Sequence, residues 1–176
     1  MSETNSSKNA IDETLDASFP ASDAPEWTGM HAGAPGAAPP QTVANLRTVR
    51  SAVNVNEAAA LVERALIASG MKVFARIDQA AEARAVGLAM PPAVLILFGN
   101  PRSGTPLMIE QPTVAIDLPL KALLWEDDRG QAWLSYNTPA LLVERHGVDG
   151  ALAAKVEPAG ELLERAVTQL PSLKAP

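Results

Sequence analysis

"VLILFGNPRSGTPLM", Val94–Met108, runs five apolar residues straight into a segment of Gly, Pro, Ser and Thr. An apolar run of that length reads as a strand with both faces covered. The small polar residues after it could form a phosphate cradle, a catalytic turn, or the junction of a strand with a helix. Gly99 and Gly104 carry the glycine spacing of a nucleotide-triphosphate loop, but the next two positions, which need Lys and then Ser or Thr, are Thr105 and Pro106. The lysine that reaches the phosphates is missing, and Pro106 has no N–H to offer an anion. The dinucleotide fingerprint G-x-G-x-x-G is absent, and so is the nucleophile elbow G-x-S-x-G. Asn100, Ser103, Gly104 and Thr105 then have two readings. They satisfy the turn and cap a helix, or they present donors to a carboxylate or phosphate at a helix N-terminus.

Outward from this stretch the chain alternates between strand and helix patterns. "LRTVRSAV" reads as a strand. "NVNEAAALVERALIASG" reads as a helix, with Asn54 and Glu57 at capping-box spacing and Gly70 at its end. Ala58, Leu61, Val62, Ala65 and Leu66 share one face of it. In "MKVFARID", Met71, Val73, Ala75 and Ile77 alternate with Lys72, Phe74 and Arg76, the pattern of a half-buried strand. Asp78 caps a short helix over "QAAEARAVG". "KALLWE" and "QAWLSYN" flank "DDRG" as a hairpin. Thr138 and Pro139 open a helix over "TPALLVERHG". Asp149 starts another, interrupted at Pro158 and Gly160, and "ELLERAVTQL" closes the domain with Leu163, Ala166, Val167 and Leu170 on one face. This order predicts an α+β fold, a two-layer sandwich of one sheet with helices packed on one face.

Residues 1–43 differ from the rest. "HAGAPGAAPP" is low-complexity and buries too little surface to offset its ordering entropy. Residues 1–43 therefore read as a disordered acidic, Pro/Gly/Ala-rich tail and linker, and 44–176 as a single domain. Leu15, Phe19 and Trp27 punctuate the acidic "DETLDASFPASDAPEW", so residues 12–27 could dock on a protein partner or serve only to solubilise.

The formal charge is −6, which argues against nucleic acid and acidic membrane surfaces as partners. Cysteine is absent, which excludes disulfides, thiolate metal sites and Cys nucleophiles. No secretory signal and no bilayer-length apolar run are read, so a cytoplasmic protein is expected. His31 lies in the tail, leaving His146 as the domain's one histidine, at a helix end where the dipole favours it as a cap; its other reading is a general base. A zinc site is not expected, and Glu126, Asp127 and Asp128 read as a solvated hairpin tip; neither a metal nor a cofactor is expected. Trp125, Trp133 and Tyr136 line a core, a ligand cleft or a dimer face. Lys121 pairs with Asp117 or projects into a pocket mouth.

"RIDQAAEARAVGL", "LILFGNPRSGTPLM", "IDLPLKALLWEDDRG" and "WLSYNTPALLVERHG" together resemble the bacterial and archaeal family known as domain of unknown function 302. The match runs in order from about Asn45 to His146, and "FGNP", "GTPLM" and "DLPLK" are its specific phrases. The resemblance implies a two-layer α+β domain that tends to form homodimers, and no established activity. Relatives look like "DHAAGA" where this chain has "DQAAEA", so Gln79 stands in a histidine position and Glu82 in a glycine position. Glutamine hydrogen-bonds but does not titrate, which weakens a histidine-dependent enzyme reading. "SFPASDAPEW" is also similar to a segment at the N-termini of other small bacterial proteins.

The expected function is small-ligand binding or sensing by a homodimer. The site is expected near Asn100, Ser103, Gly104 and Thr105, with Asp78, Gln79, Lys121 and Tyr136 as neighbours and a small anionic or polar molecule as ligand. One alternative is an interaction module using the dimer face and the tail. The other is an enzyme of unassigned class with Asp78 or His146 as base.

Overall fold

A computed structural model describes residues 43–169, so residues 1–42 of the expected tail, its segment 12–27 included, and Leu170 lie outside the described residues. The elements follow the sequence closely where periodicity and caps agree. Strand β1 (Leu46–Arg50) leads to helix α1 (Val55–Ala68). The Asn54 side chain accepts the Glu57 N–H at 3.0 Å, and Gly70, at φ +78°, turns the chain back. Strand β2 (Lys72–Asp78) runs into the short helix α2 (Gln79–Ala85), whose first turn is capped by Asp78. After strand β3 (Ala93–Gly99), helix α3 (Pro101–Glu110) and a 3-10 turn (Pro112–Ile116) precede strand β4 (Leu120–Glu126). Strand β5 (Ala132–Asn137) completes the expected hairpin, with Gly130 at φ +75°. Helix α4 (Pro139–His146), the single turn α5 (Gly150–Ala153), a 3-10 turn (Ala154–Val156) and helix α6 (Glu157–Thr168) follow.

The five strands form one antiparallel sheet in the order β1-β5-β4-β3-β2. Helices α1 and α6 pack on each other and on one face of it, the inner face. The core there joins Val62 and Leu66 of α1 and Leu163 and Val167 of α6 to Val94, Ile96, Phe98, Leu124 and Leu134 of the strands. Full burial of each such side chain contributes about 1.5–3 kcal/mol. A second, smaller core joins Leu107, Val114, Leu142, Val148, Ala153 and Val156, uniting α3, α4, α5 and the two 3-10 turns.

Three local expectations change. The apolar run of β3 is covered by helices on one face only: Val94, Ile96 and Phe98 are buried, whereas Leu95 and Leu97 are half-buried. Strand β2 does not alternate throughout, because the ladder shifts between Val73 and Ala75 and leaves Phe74 as an extra residue. Val73 packs on the inner core, but a one-residue bulge sends Ala75 and Ile77 to the opposite face, and Ile77 is exposed. The break expected at Pro158 and Gly160 is absent. Pro158 sits in the first turn of α6, where a missing N–H costs nothing, and Gly160 is buried.

Gly160 is there for space. A Cβ at this position would lie 2.7 Å from Cε2 of Tyr136, whose ring rises from the inner face of β5. The Tyr136 hydroxyl donates to Glu164 Oε1 at 2.7 Å, and Arg47 Nε donates to the same oxygen at 2.9 Å. Burial, then the Glu164 hydrogen bond, pushes the Tyr136 phenol up. Burial also pushes the Glu164 carboxyl up, but the bonds from Arg47 and Tyr136 and the charge of Arg47 outweigh it and hold it below the ordinary range.

Two outcomes follow. In an ordinary helix Gly→Ala adds about 0.5–1 kcal/mol of stability. Gly160→Ala is expected to reverse the sign and cost about 1–3 kcal/mol through overpacking on Tyr136, seen as a lower Tm. A carboxyl whose pKa falls on folding stabilises above the unfolded value and loses that contribution as pH drops through the folded one. The Tm advantage of the wild type over Glu164→Gln is therefore expected to hold at neutral pH and to shrink below about pH 4.3; a pH-independent difference would show that the Arg47–Glu164–Tyr136 cluster adds no such linkage.

Candidate functional site

The junction between β3 and α3 is not a loop. Asn100 is the N-cap of α3, and Pro101, Ser103, Gly104, Thr105 and Pro106 belong to the helix itself. The N–H accounting of its first turn is complete. Pro101 has none, Arg102 N donates to Asn100 Oδ1 at 2.9 Å, and Ser103 N and Gly104 N donate to Asn100 O at 3.0 and 2.9 Å. With the donors of this turn committed within the chain, the end of α3 offers no free N–H row to an anion.

What α3 does offer is a wall. A cleft of about 200 Å³ lies between α3, Phe74 on the bulge of β2, Leu118–Leu120 leading into β4, and Val156. A cis peptide joins Leu118 to Pro119 in its lining. Asn100, Ser103, Gly104 and Thr105 all line this cleft, so four of the expected site residues come together. Gly104 keeps it open, since a Cβ there would already touch Leu118 Cδ1 at 3.6 Å. The other walls, Phe74, Met108, Leu118, Pro119, Leu120 and Val156, are apolar. The arrangement suits a small, largely apolar body with its polar end towards Asn100, Ser103 and Thr105.

The remaining four expected residues do not line the cleft itself. The register pairs Lys72 with Gly99 but Asp78 with Val94, which puts Asp78 and Gln79 a strand length, about 20 Å, from the cleft end of the sheet. There Asp78 caps α2 by accepting Ala81 N at 2.8 Å. Lys121 and Tyr136 border a neighbouring hollow of about 20 Å³, which shares Leu120 and Val156 with the cleft and which about one water would fill. Lys121 Nζ donates to the backbone oxygens of Asp117 and Pro119, at 3.0 and 3.4 Å, and so does not pair with the Asp117 carboxylate.

That carboxylate is taken by other groups. His146 Nε2 lies 2.7 Å from Asp117 Oδ2, its Nδ1 lies 3.1 Å from Thr113 Oγ1, and Arg145 Nη1 lies 3.1 Å from Asp117 Oδ1. The His146 side chain is 5% exposed. A hydroxyl, an imidazole and a carboxylate in line have the composition of a nucleophilic triad. None of the three lines the cleft or the hollow beside Lys121, and the line ties the 3-10 turn to α4. Asp78 likewise lines neither. Among the described residues no group of three or more His, Cys, Asp or Glu could hold a metal.

Sequence reasoning missed the apolar walls. Phe74 carried the strongest available signal, a large aromatic on the polar side of a half-buried strand. Leu118, Pro119 and Val156 carried none, because they reach the cleft only through the packing of the second core.

Comparison with known proteins fits this architecture. The family model for domain of unknown function DUF302 matches residues 47–170. The crystal structure of an uncharacterized conserved DUF302 protein from Bacillus stearothermophilus superposes with a TM-score of 0.63 at 24% identity, over 70% of this chain and 99% of that one. The fluoride-specific ion channel FluC 1 of Brucella suis is 42% identical over 125 residues, which are 69% of this chain and 49% of that protein. FluC 1 of Brucella abortus and FluC 2 of Brucella melitensis match at the same identity, over 46% of their lengths. The chain thus spans about half the length of these curated relatives. Among the described residues no helix is long and apolar enough to cross a membrane. The sequence phrases, the five-stranded sheet with its helical layer, and the match over residues 47–170 agree: the chain belongs to the DUF302 family.

Proposed function

We propose that this chain is a cytoplasmic small-molecule-binding module that works as a homodimer, and that its site is the cleft beneath α3. The observation that carries the reading is the convergence of Asn100, Ser103, Gly104 and Thr105 on one largely apolar cleft. With the first-turn N–H groups committed to Asn100, the ligand is a compact, mostly apolar molecule with one polar group rather than a bare anion. The apolar walls supply affinity and the three polar side chains fix orientation. Native mass spectrometry of the full chain tests this. The wild type is expected to carry a small adduct, or to show saturable chemical-shift changes at Met108 with a panel of small apolar amides and alcohols. Gly104→Leu, which fills the cleft, is expected to abolish either signal while the protein stays folded. A wild type silent in both assays overturns the site.

The 42% identity with the Brucella proteins favours a second reading, that the domain accompanies a fluoride-specific channel. No described helix can span a bilayer, so the contribution of this fold would be regulation or assembly rather than the ion path. Fluoride efflux from vesicles holding such a channel is expected to change when this chain is added; an unaltered rate would overturn the association.

A further inference from the structure

We infer that the cleft beneath α3 takes a monocarboxylate built on one small ring or a short branched chain, with the carboxylate at the rim beside Lys72. The inference rests on the small-molecule reading above and names the chemical class of the ligand. Size sets the first limit. A dry cavity of about 150 Å³ holds a benzene molecule, so a cleft of about 200 Å³ holds such a body with one small head group. The walls at Phe74, Met108, Leu118, Pro119, Leu120 and Val156 give that body apolar contact. A sugar or a free phosphate would press its polar atoms against them, and burying polar atoms without partners is costly.

The head group is read from the donors that the fold leaves unspent. The backbone N–H groups of the first turn are committed, but the side chains beside them are not. Asn100 Oδ1 accepts from Arg102 N, which leaves both N–H groups of Asn100 Nδ2 without a partner among the described residues. Ser103 Oγ and Thr105 Oγ1 also lack a hydrogen-bond partner among the described residues. All three side chains line the cleft. A carboxylate brings two oxygens with about four lone-pair sites and no donor of its own, whereas an amide or alcohol brings a donor that Asn100 Nδ2 cannot meet.

Charge selects the ionised acid. Lys72 pairs across the ladder with Gly99, which lines the cleft, and its ammonium stands 5.0 Å from the centre of the Phe74 ring, which lines it too. Lys72 has no carboxylate partner among the described residues. Arg102, between the lining residues Pro101 and Ser103, and Lys155, next to Val156, are exposed and have none either. Two acids adjoin lining residues. Asp117, beside Leu118, has its carboxylate taken by Arg145 and His146, and only Glu157, beside Val156, has no ion pair among the described residues. In a chain of net charge −6, this surplus of cations reverses the sign locally and draws an anion to the rim. A carboxylate held at the rim keeps part of its water while its apolar body fills the cleft, so the charge is not stripped on binding.

Benzoate, phenylacetate and 4-methylpentanoate, each set against its own amide, test the class by titration of the full chain in low salt, followed by NMR at the Met108 methyl. Acid and amide match in shape, and the acids are ionised at neutral pH. At least one acid is expected to bind about fivefold or more tightly than its amide. That advantage is expected to shrink in about 0.5 M NaCl, where charges are strongly screened. Lys72→Met, which keeps the length of the side chain without its charge, is expected to bring the acid-to-amide ratio close to unity. Gly104→Leu is expected to silence acids and amides alike. Amides that bind as well as their acids, or better, overturn the carboxylate and leave the small-molecule cleft standing. An acid preference that survives Lys72→Met overturns the inference, because the charge is then read elsewhere. Binding that survives Gly104→Leu, or silence from both series in the wild type, overturns the inference and the cleft together.

Discussion

The burial of Val94, Ile96 and Phe98 beneath α1 is the constraint from which most of the architecture follows. These three alternate positions fix which face of β3 is inside, and a period of two admits no partial solution. Once β3 is set, its ladders set β4 through Ala122 and Leu124, and β4 sets β5 through Leu134. The last strand, β1, adds at the edge with Val49 opposite Leu134. The same choice leaves Leu95, Leu97, Leu123 and the two stacked tryptophans half-buried on the opposite face. The inner core and the unusual outer face are thus two consequences of one alternation.

The sequence was legible wherever a local cap and a regular period agreed. Asn54 with Glu57, Asp78, the Asp127–Gly130 turn and Asp149 each do in the structure what their spacing announced. It was misleading where tertiary packing overrides local preference. Gly104, Thr105 and Pro106 are poor helix formers, yet they form α3, because Asn100 and Pro101 start the helix well and Leu107 is fully buried in the second core. Pro106 sacrifices a helical hydrogen bond, and the burial of Leu107 helps offset that loss. The bulge at Phe74 was illegible for a different reason. It changes no residue type, only the count of residues opposite the partner strand, so the alternation read from "MKVFARID" breaks halfway without any mark in the sequence.

The candidate site divides along the same line. Asn100, Ser103, Gly104 and Thr105 were found because adjacency in sequence kept them adjacent in space. The ladder register puts Asp78 and Gln79 at the far end of the sheet, whereas Lys121 and Tyr136 stay near the cleft end and border the neighbouring hollow. Lys121 and Tyr136 are engaged by backbone oxygens and by Glu164 respectively, so their polar atoms serve the fold. His146 was expected at a helix end as a dipole cap. It does end α4, and its ring is also clamped between Asp117 and Thr113, 29 and 33 residues away, contacts that no local pattern encodes.

Phe74 is where the bulge of β2 reaches the cleft. It lines the cleft, it is 46% exposed, and it sits beside Lys72, whose ammonium stands 5.0 Å from the centre of its ring. The same one-residue bulge turns Ala75 and Ile77 away from the inner core on which Val73 packs. One extra residue in an edge strand therefore does two things at once: it gives the cleft its aromatic wall, and it decides which side chains of the rest of β2 the core can use.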